Sequence, residues 1–215
     1  RDAQESRGLG DVYKRQGIWQ VTETPEELRA CLSDTRVQEE LDRLKAPSRK
    51  LEYLAVRVLL KALCGKEVRI GHEPSGKPFL WDDSRRISIS HTRNYVAVGL
   101  HATASPGIDI EWYGERVRKV VSRFVRDDEM PDRKNMEPQE ELYQLLLHWS
   151  AKETMFKCLN TSEVDFKEHL QVFPFIPRRE GTFDAREYRT DRRQMFHISY
   201  QITSDFVLTW SVIRQ

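Results

Sequence analysis

Hydrophobic and polar positions follow two periods along the chain, and these periods predict its helices and strands. Apolar residues at helical spacing predict long helices at 47–63 and 140–159, and an amphipathic helix at 116–129. Thr24 followed by Pro25 and Glu27 predicts the start of a short helix. Short alternating or apolar runs predict strands at 17–23, 85–90, 95–100, 107–112, 169–176, 181–188, 194–202 and 206–213.

The order of these elements divides the chain into two parts. We expect an α+β fold with an N-terminal half at 17–106 and a C-terminal half at 107–215. Residues 1–16 show no apolar period and no signal-peptide pattern, so we interpret them as a non-native or disordered leader.

Composition narrows the class of protein. Charged residues make up 32% of the 215 residues and the formal net charge is +1, which gives no overall attraction to nucleic acid or to a membrane. No apolar run reaches the length of a membrane span. The cysteines Cys31, Cys64 and Cys158 form no metal-binding or disulfide pattern. We therefore expect a cytoplasmic monomer.

The segment PGIDIEWYGERV places two acids on one predicted strand. Ile108 and Ile110 alternate with Asp109 and Glu111, so the isoleucines face one side of the strand and the carboxylates the other. One interpretation is a half-buried strand with a solvated outer face. The other is a metal site that requires a further ligand.

The second long helix offers that ligand. Glu153 falls inside the apolar stripe formed by Leu142, Leu145, Leu146, Trp149 and Phe156. A buried carboxylate needs a partner, either Lys157 one turn away or a cation. With Asp109 and Glu111 it would form an oxygen-only site suited to Mg²⁺, and Lys152 and Lys157 would hold phosphate oxygens beside it.

Four motifs in order resemble the 4′-phosphopantetheinyl transferase superfamily, in its surfactin-type branch: GKPF at 76–79, ISISHT at 87–92, GIDIE at 107–111 and WSAKETMFK at 149–157. The resemblance implies a fold of two similar α/β halves packed as an intramolecular pseudo-dimer. It also implies transfer of phosphopantetheine from coenzyme A to a serine of an apo acyl or peptidyl carrier protein, with release of 3′,5′-ADP.

The resemblance also implies roles for individual residues. Asp109, Glu111 and Glu153 would hold Mg²⁺, and Glu153 or a metal-held water would accept the serine proton. Lys157 and His91 would stabilise charge on the phosphates. Lys77, Ser90 and His91 would contact the diphosphate of coenzyme A. Arg49 and Arg57 form either a solvated basic face or a contact with its 3′-phosphate.

Two other functions stay open at this point. The chain could be a catalytically inactive protein that binds coenzyme A or a nucleotide, or it could be an interaction module for carrier proteins. The sequence does not name the carrier. We further expect the basic residues of segment 116–129 to face outward and to attract an acidic carrier: Arg116, Arg118, Lys119, Arg123 and Arg126.

Overall fold

A computed structural model describes residues 4–5, 14–81, 83–130, 133–159 and 161–214. The chain forms two compact units, Arg1–Thr103 and Ala104–Gln215, divided three residues before the predicted boundary at 106. Most of the predicted leader lies outside the described residues. Its last residues, Lys14–Gln16, form the start of a strand that pairs with His101–Gly99.

The first unit contains a four-stranded antiparallel sheet. The strands of this unit are β1 (Gln4–Glu5), β2 (Lys14–Gln20), β3 (Ile70–His72), β4 (Pro78–Leu80), β5 (Arg86–Thr92) and β6 (Tyr95–His101). The spatial order of the sheet is β1-β2-β6-β5, and β3 and β4 form a separate two-stranded hairpin. A two-residue turn joins β5 to β6, and Thr92 pairs with Tyr95 across it.

Helices α1 (Pro25–Ala30), α2 (Arg36–Arg43) and α3 (Pro47–Cys64) complete this unit. The start predicted at Thr24 is confirmed, because the Thr24 hydroxyl accepts from the Glu27 N–H and the Glu27 carboxylate accepts from the Thr24 N–H. The end of α3 is also confirmed, since Gly65 adopts a left-handed conformation with φ 73°. Helix α2 was not predicted.

The second unit is built on a five-stranded antiparallel sheet. Its strands are β7 (Ser105–Trp112), β8 (Leu170–Val172), β9 (Glu180–Glu187), β10 (Met195–Ile202) and β11 (Phe206–Ile213), in the spatial order β7-β11-β10-β9-β8. The strand predicted at 169–176 is shortened to the three residues of β8. Pro174, two residues after its end, has no N–H to donate to a sheet.

Helix α4 (Pro138–Cys158) lies on this sheet against β7 and β11. The predicted apolar residues Leu142, Leu145 and Leu146 are buried, and so are residues on the other faces of its middle turns. A helix that is buried on most sides is a core element of its domain. The close contact with β7 depends on Gly107, where a Cβ atom would overlap the carbonyl oxygen of Thr154.

The predicted α-helix at 116–129 is wrong in type and length. Glu115–Arg123 form a 3₁₀ helix instead, and turns follow it. Its apolar residues form two pairs with a spacing of three residues, Val117 with Val120 and Val121 with Phe124. This spacing matches the three residues per turn of a 3₁₀ helix. The β-branched valines also have low α-helical propensity. Among the described residues, no helix has the length and apolar character needed to cross a membrane.

His148 is buried in the middle of α4. Its side chain is 1% exposed, its Nδ1–H donates to the Gln144 carbonyl oxygen at 2.7 Å, and its ring stacks on Phe175. In the part of the chain that the structure describes, Nε2 has no hydrogen-bond partner. Burial lowers the pKa of His148 from 6.5 to about 4, so this histidine is a neutral core residue.

Replacing His148 by Phe should remove an acid-dependent loss of stability. The unfolded chain takes up the proton near pH 6.5, whereas the folded protein resists it down to about 4. The contribution of His148 is therefore fully present above pH 6.5 and is lost as the pH falls towards 4, by up to roughly 3 kcal/mol. Urea unfolding of both proteins between pH 8 and 4 measures the difference. A difference that does not change with pH would contradict this prediction.

Candidate active site

Strand β7 carries its two acids in a buried setting. Asp109 is 3% exposed, and Ile108 and Ile110 on the opposite face are 1% exposed each. The interpretation of a solvated outer face is therefore wrong for this strand. Glu111, near the end of β7, is partly buried. Removal of water from both acids makes their charges costly unless other groups compensate for them.

Lys157 of α4 supplies a positive charge to this strand. Its Nζ lies 2.6 Å from Asp109 Oδ1 and donates to the Ile108 carbonyl oxygen at 3.1 Å. The sequence left open an ion pair between Lys157 and Glu153 within the helix. The structure shows a different pairing, in which Lys157 crosses from α4 to β7 and ties the helix to Asp109.

Glu111 and Glu153 share an unfavourable electrostatic environment. Burial and the charge of Asp109 raise the pKa of each to about 7. The Trp149 Nε1–H donates to Glu111 Oε1 at 2.8 Å and partly opposes the shift. The Glu153 carboxylate has no hydrogen bond or ion pair among the described residues, although the charge of Lys157 is close enough to lower its pKa.

The three acids lie close enough to affect one another electrostatically, but they do not form a closed coordination set. Within residues 14–81, 83–130, 133–159 and 161–214, no three His, Cys, Asp or Glu side chains are arranged to hold a metal ion. Asp109 is held by Lys157 and Glu111 by Trp149, which accounts for the open arrangement. The donor chemistry nevertheless fits a hard divalent cation, because the three carboxylates supply oxygen ligands and Lys157 alone does not balance their negative charge.

Lys152 has a different environment from the one predicted. It is fully buried, and its Nζ contacts Glu129 at 2.7 Å and the carbonyl oxygens of Phe124 and Phe166. Burial lowers its pKa to about 8, and the Glu129 charge opposes that shift. Because three protein acceptors surround the ammonium group, Lys152 holds the segment around Glu129 to α4. The prediction that it binds phosphate is wrong.

In the first unit, the structure brings two predicted phosphate-binding residues together. His91, exposed on β5, lies 3.2 Å from the Arg49 guanidinium through Nε2 and 3.5 Å from Glu52 through Nδ1. Arg49 also pairs with Glu52 at 2.8 Å. Ser90 is buried on the opposite face of β5, and Lys77 is partly buried in the turn before β4.

Arg57 lies in another environment from Arg49. Its side chain is 15% exposed, it pairs with Glu40 at 3.0 Å, and its guanidinium lies 3.3 Å from the centre of the Tyr53 ring. Burial lowers its pKa. These contacts link α2 and α3 and favour a structural role for Arg57 over a solvated face, and the contact with a 3′-phosphate stays a prediction.

The sequence analysis missed the contacts that three residues make with the site residues: Glu129, Glu52 and Trp149. Glu129 and Glu52 carry no motif, and their partners lie far away in sequence or on another element. Trp149 did give a signal, because a buried indole N–H requires an acceptor. Its position on the same stripe as Glu153 pointed to the neighbouring strand, where Glu111 is the acceptor.

In the metal-free protein, Asp109→Asn and Glu153→Gln should change stability in opposite directions. Asp109→Asn removes the charge that Lys157 needs and should lower the free energy of unfolding by about 1–3 kcal/mol. Glu153→Gln should raise stability at pH 8 by up to about 1 kcal/mol, because ionised Glu153 is costly there.

Urea unfolding in EDTA at pH 8 and pH 5 measures both effects. The raised pKa of Glu153 means that its protonation in the folded state stabilises the wild type as the pH falls below about 7. The advantage of Glu153→Gln should therefore shrink at pH 5. If both substitutions changed the free energy of unfolding at pH 8 by the same amount and in the same direction, the prediction would be contradicted.

Comparison with known proteins agrees with this second unit. The family model of the 4′-phosphopantetheinyl transferase superfamily matches residues 105–211. No curated protein matches the chain. The match includes β7, α4 and nearly all of β11, which are the elements that carry Asp109, Glu111, Glu153 and Lys157. The second unit of the chain is thus similar, over almost its whole length, to the 4′-phosphopantetheinyl transferase superfamily.

Proposed function

We propose that this protein transfers 4′-phosphopantetheine from coenzyme A to a serine of an apo acyl or peptidyl carrier protein. The observation that carries the proposal is the grouping of Asp109, Glu111, Glu153 and Lys157 within the region that matches the superfamily. Such a group of partly buried charges in one place is typical of a functional site. The surfactin-type branch and its pseudo-dimeric fold are part of the same proposal.

Asp109, Glu111 and Glu153 would hold Mg²⁺ together with the pyrophosphate of coenzyme A. When bound, the cation supplies positive charge that neutralises the phosphate oxygens during the transfer. The raised pKa values of Glu111 and Glu153 support this assignment, because a cation would relieve the repulsion among the three carboxylates. Lys157 lies beside them and would hold a phosphate oxygen through its ammonium group.

Glu153 is the best candidate for the general base. Its carboxylate is partly buried beside Asp109, and no other described side chain holds it. The serine oxygen of the carrier would attack the phosphorus that bears pantetheine, and its proton would pass to Glu153. The bond from that phosphorus to the oxygen of the adenosine-bearing phosphate would break, and 3′,5′-ADP would leave.

Arg49 and His91 in the first unit would contact the phosphates of coenzyme A. Arg49 and His91 are exposed and adjacent, so an anion can accept from the Arg49 guanidinium and can replace Arg49 as the partner of His91 Nε2. Glu52 orients both side chains through ion pairs. Lys77 and Ser90 are further proposed contacts to the diphosphate, whereas the partners of Arg57 and Lys152 favour structural roles for these two residues.

Mass spectrometry of apo carrier proteins tests the transfer. Fatty-acid, polyketide and peptide-synthetase carriers are incubated with the protein, coenzyme A and Mg²⁺, and at least one should gain the mass of one phosphopantetheine group. EDTA should abolish the gain, and Glu153→Gln should lower the rate by roughly 10²-fold or more because both a ligand and a base are lost. If folded protein binds coenzyme A but modifies none of the carriers, it is an inactive binding protein instead.

The basic residues of segment 116–129 only partly face outward. Arg118 pairs with Glu115 and Glu141 and donates to the Pro138 carbonyl oxygen, and Arg126 pairs with Asp128. Both are therefore wrong choices for a carrier-facing surface. Arg116, Lys119 and Arg123 are exposed, and the helix follows β7 directly. We propose that these three residues attract an acidic carrier protein.

Reversing Lys119 and Arg123 to Glu should lower kcat/KM for the carrier by roughly 10-fold at low ionic strength. The saturated turnover and the affinity for coenzyme A should change little, because exposed charges act mainly on encounter. The defect should shrink with added salt as screening weakens the attraction.

A matched control reverses Arg192 and Arg193, which are exposed in the turn between β9 and β10. The strand register places this turn at the opposite end of the sheet from Trp112 and the 3₁₀ helix. The control should leave kcat/KM near the wild-type value. Equal losses in both double variants would assign the effect to net charge rather than to the 3₁₀ helix.

A further inference from the structure

Three buried hydroxyl groups meet between α4 and the sheet of the second unit. The Thr209 hydroxyl lies 2.9 Å from the Ser150 hydroxyl and 2.7 Å from the Thr154 hydroxyl. All three residues are 0% exposed. We call Ser150, Thr154 and Thr209 the hydroxyl cluster. Outside the cluster, the adjoining turns of α4 place Leu146, Leu147, Ala151, Met155 and Cys158 in the core.

The hydroxyl cluster joins the two elements that carry the candidate catalytic acids. Thr154 follows Glu153 directly on α4, and its hydroxyl also donates to the Thr209 carbonyl oxygen at 3.2 Å. Thr209 is the cross-strand partner of Asp109. The Ser150 hydroxyl donates to the Asp109 carbonyl oxygen at 3.3 Å. Every bond of the cluster therefore links the helix of Glu153 to the strand pair of Asp109.

Hydrogen bonds fix this contact in a way that apolar packing does not. Valine in place of threonine and alanine in place of serine would fill nearly the same space, but they would not fix distances between particular atoms of the helix and the sheet. Hydroxyls one helical turn apart, at 150 and 154, both contact the one threonine, which sets the translation and the rotation of α4 together. Gly107 adds to this by allowing the backbone of α4 to approach β7.

We propose that Thr209 is a positioning residue, which through Ser150 and Thr154 sets the Glu153 carboxylate relative to the Asp109 carboxylate. The inference rests on the proposed function, in which both acids hold the same cation. It assigns a role to a strand residue that has no charge and touches no substrate. A displacement of a reacting group by about 1 Å can cost roughly 10²-fold in rate, so small shifts of α4 matter.

The test compares Thr209→Val, which keeps the volume and loses the hydroxyl, with Thr209→Ser, which keeps the hydroxyl. The control is Ser211→Ala, two residues along the same strand. Ser211 is also buried, but its hydroxyl donates to the His197 carbonyl oxygen within the sheet and not to α4. In Thr209→Val, the Ser150 and Thr154 hydroxyls keep carbonyl acceptors, so Tm should fall by only roughly 2–5 °C.

Binding of Mn²⁺, alone and with coenzyme A, gives a measurement that does not depend on turnover. Loss of the signal of unbound Mn²⁺ in electron paramagnetic resonance reports the affinity. Thr209→Val should bind Mn²⁺ roughly 10-fold more weakly, while Thr209→Ser and Ser211→Ala should stay within about 3-fold of the wild type. With an active carrier, kcat of Thr209→Val should fall while KM for the carrier stays unchanged.

Wild-type affinity and kcat in a folded Thr209→Val variant would overturn the proposal, as would an equal loss in Ser211→Ala. If Thr209→Val does not fold, Ser150→Ala replaces it, and wild-type Mn²⁺ affinity in that variant overturns the proposal. If the wild type binds Mn²⁺ but modifies no carrier, the transferase function is rejected. The Mn²⁺ affinities of the variants then still decide the positioning role. A wild type that binds no Mn²⁺ overturns both.

Discussion

The close contact between helix α4 and strands β7 and β11 is the constraint on which the candidate active site depends. Gly107 leaves the space in which the helix backbone lies against the strand. That contact brings Glu153 near Asp109 and Glu111 in a region with little water. Burial then raises the pKa values of Glu111 and Glu153 towards neutrality. The reactivity of these acids is thus a product of helix packing as much as of residue type.

Periodicity predicted the parts of the fold in which local pattern and burial agree. The long helices, the capping box at Thr24 and most strands of both sheets follow from spacing alone. The 3₁₀ helix was misread because valines three and four residues apart satisfy both helical periods. Helix α2 was missed because only Val37 and Leu41 of its eight residues are buried, which is a weak apolar signal.

The sequence predicted which charged residues form the site, but it did not predict which acid pairs with which lysine. Order and spacing of the motifs drew attention to Asp109, Glu111, Glu153 and Lys157, and the structure brings them together. Lys152 was misassigned because it adjoins Glu153 in sequence, although neighbours on a helix point about 100° apart. The partner of each lysine lies far away in sequence. Lys152 pairs with Glu129, 23 residues away, and Lys157 pairs with Asp109, 48 residues away. Local patterns carry no such information.

The burial of Lys152 has a consequence for the chemistry of its amine. The ammonium group is 0% exposed and surrounded by acceptors, while Lys157 one turn later retains 23% exposure of its side chain. An amine-reactive reagent can therefore reach Lys157 in the folded protein, whereas Lys152 becomes reactive only when α4 separates from the segment that holds Glu129. Acylation of Lys152 would in turn prevent that segment from closing again. Modification of Lys157 would thus report access to the candidate site, whereas modification of Lys152 would report separation of α4 from the segment that holds Glu129.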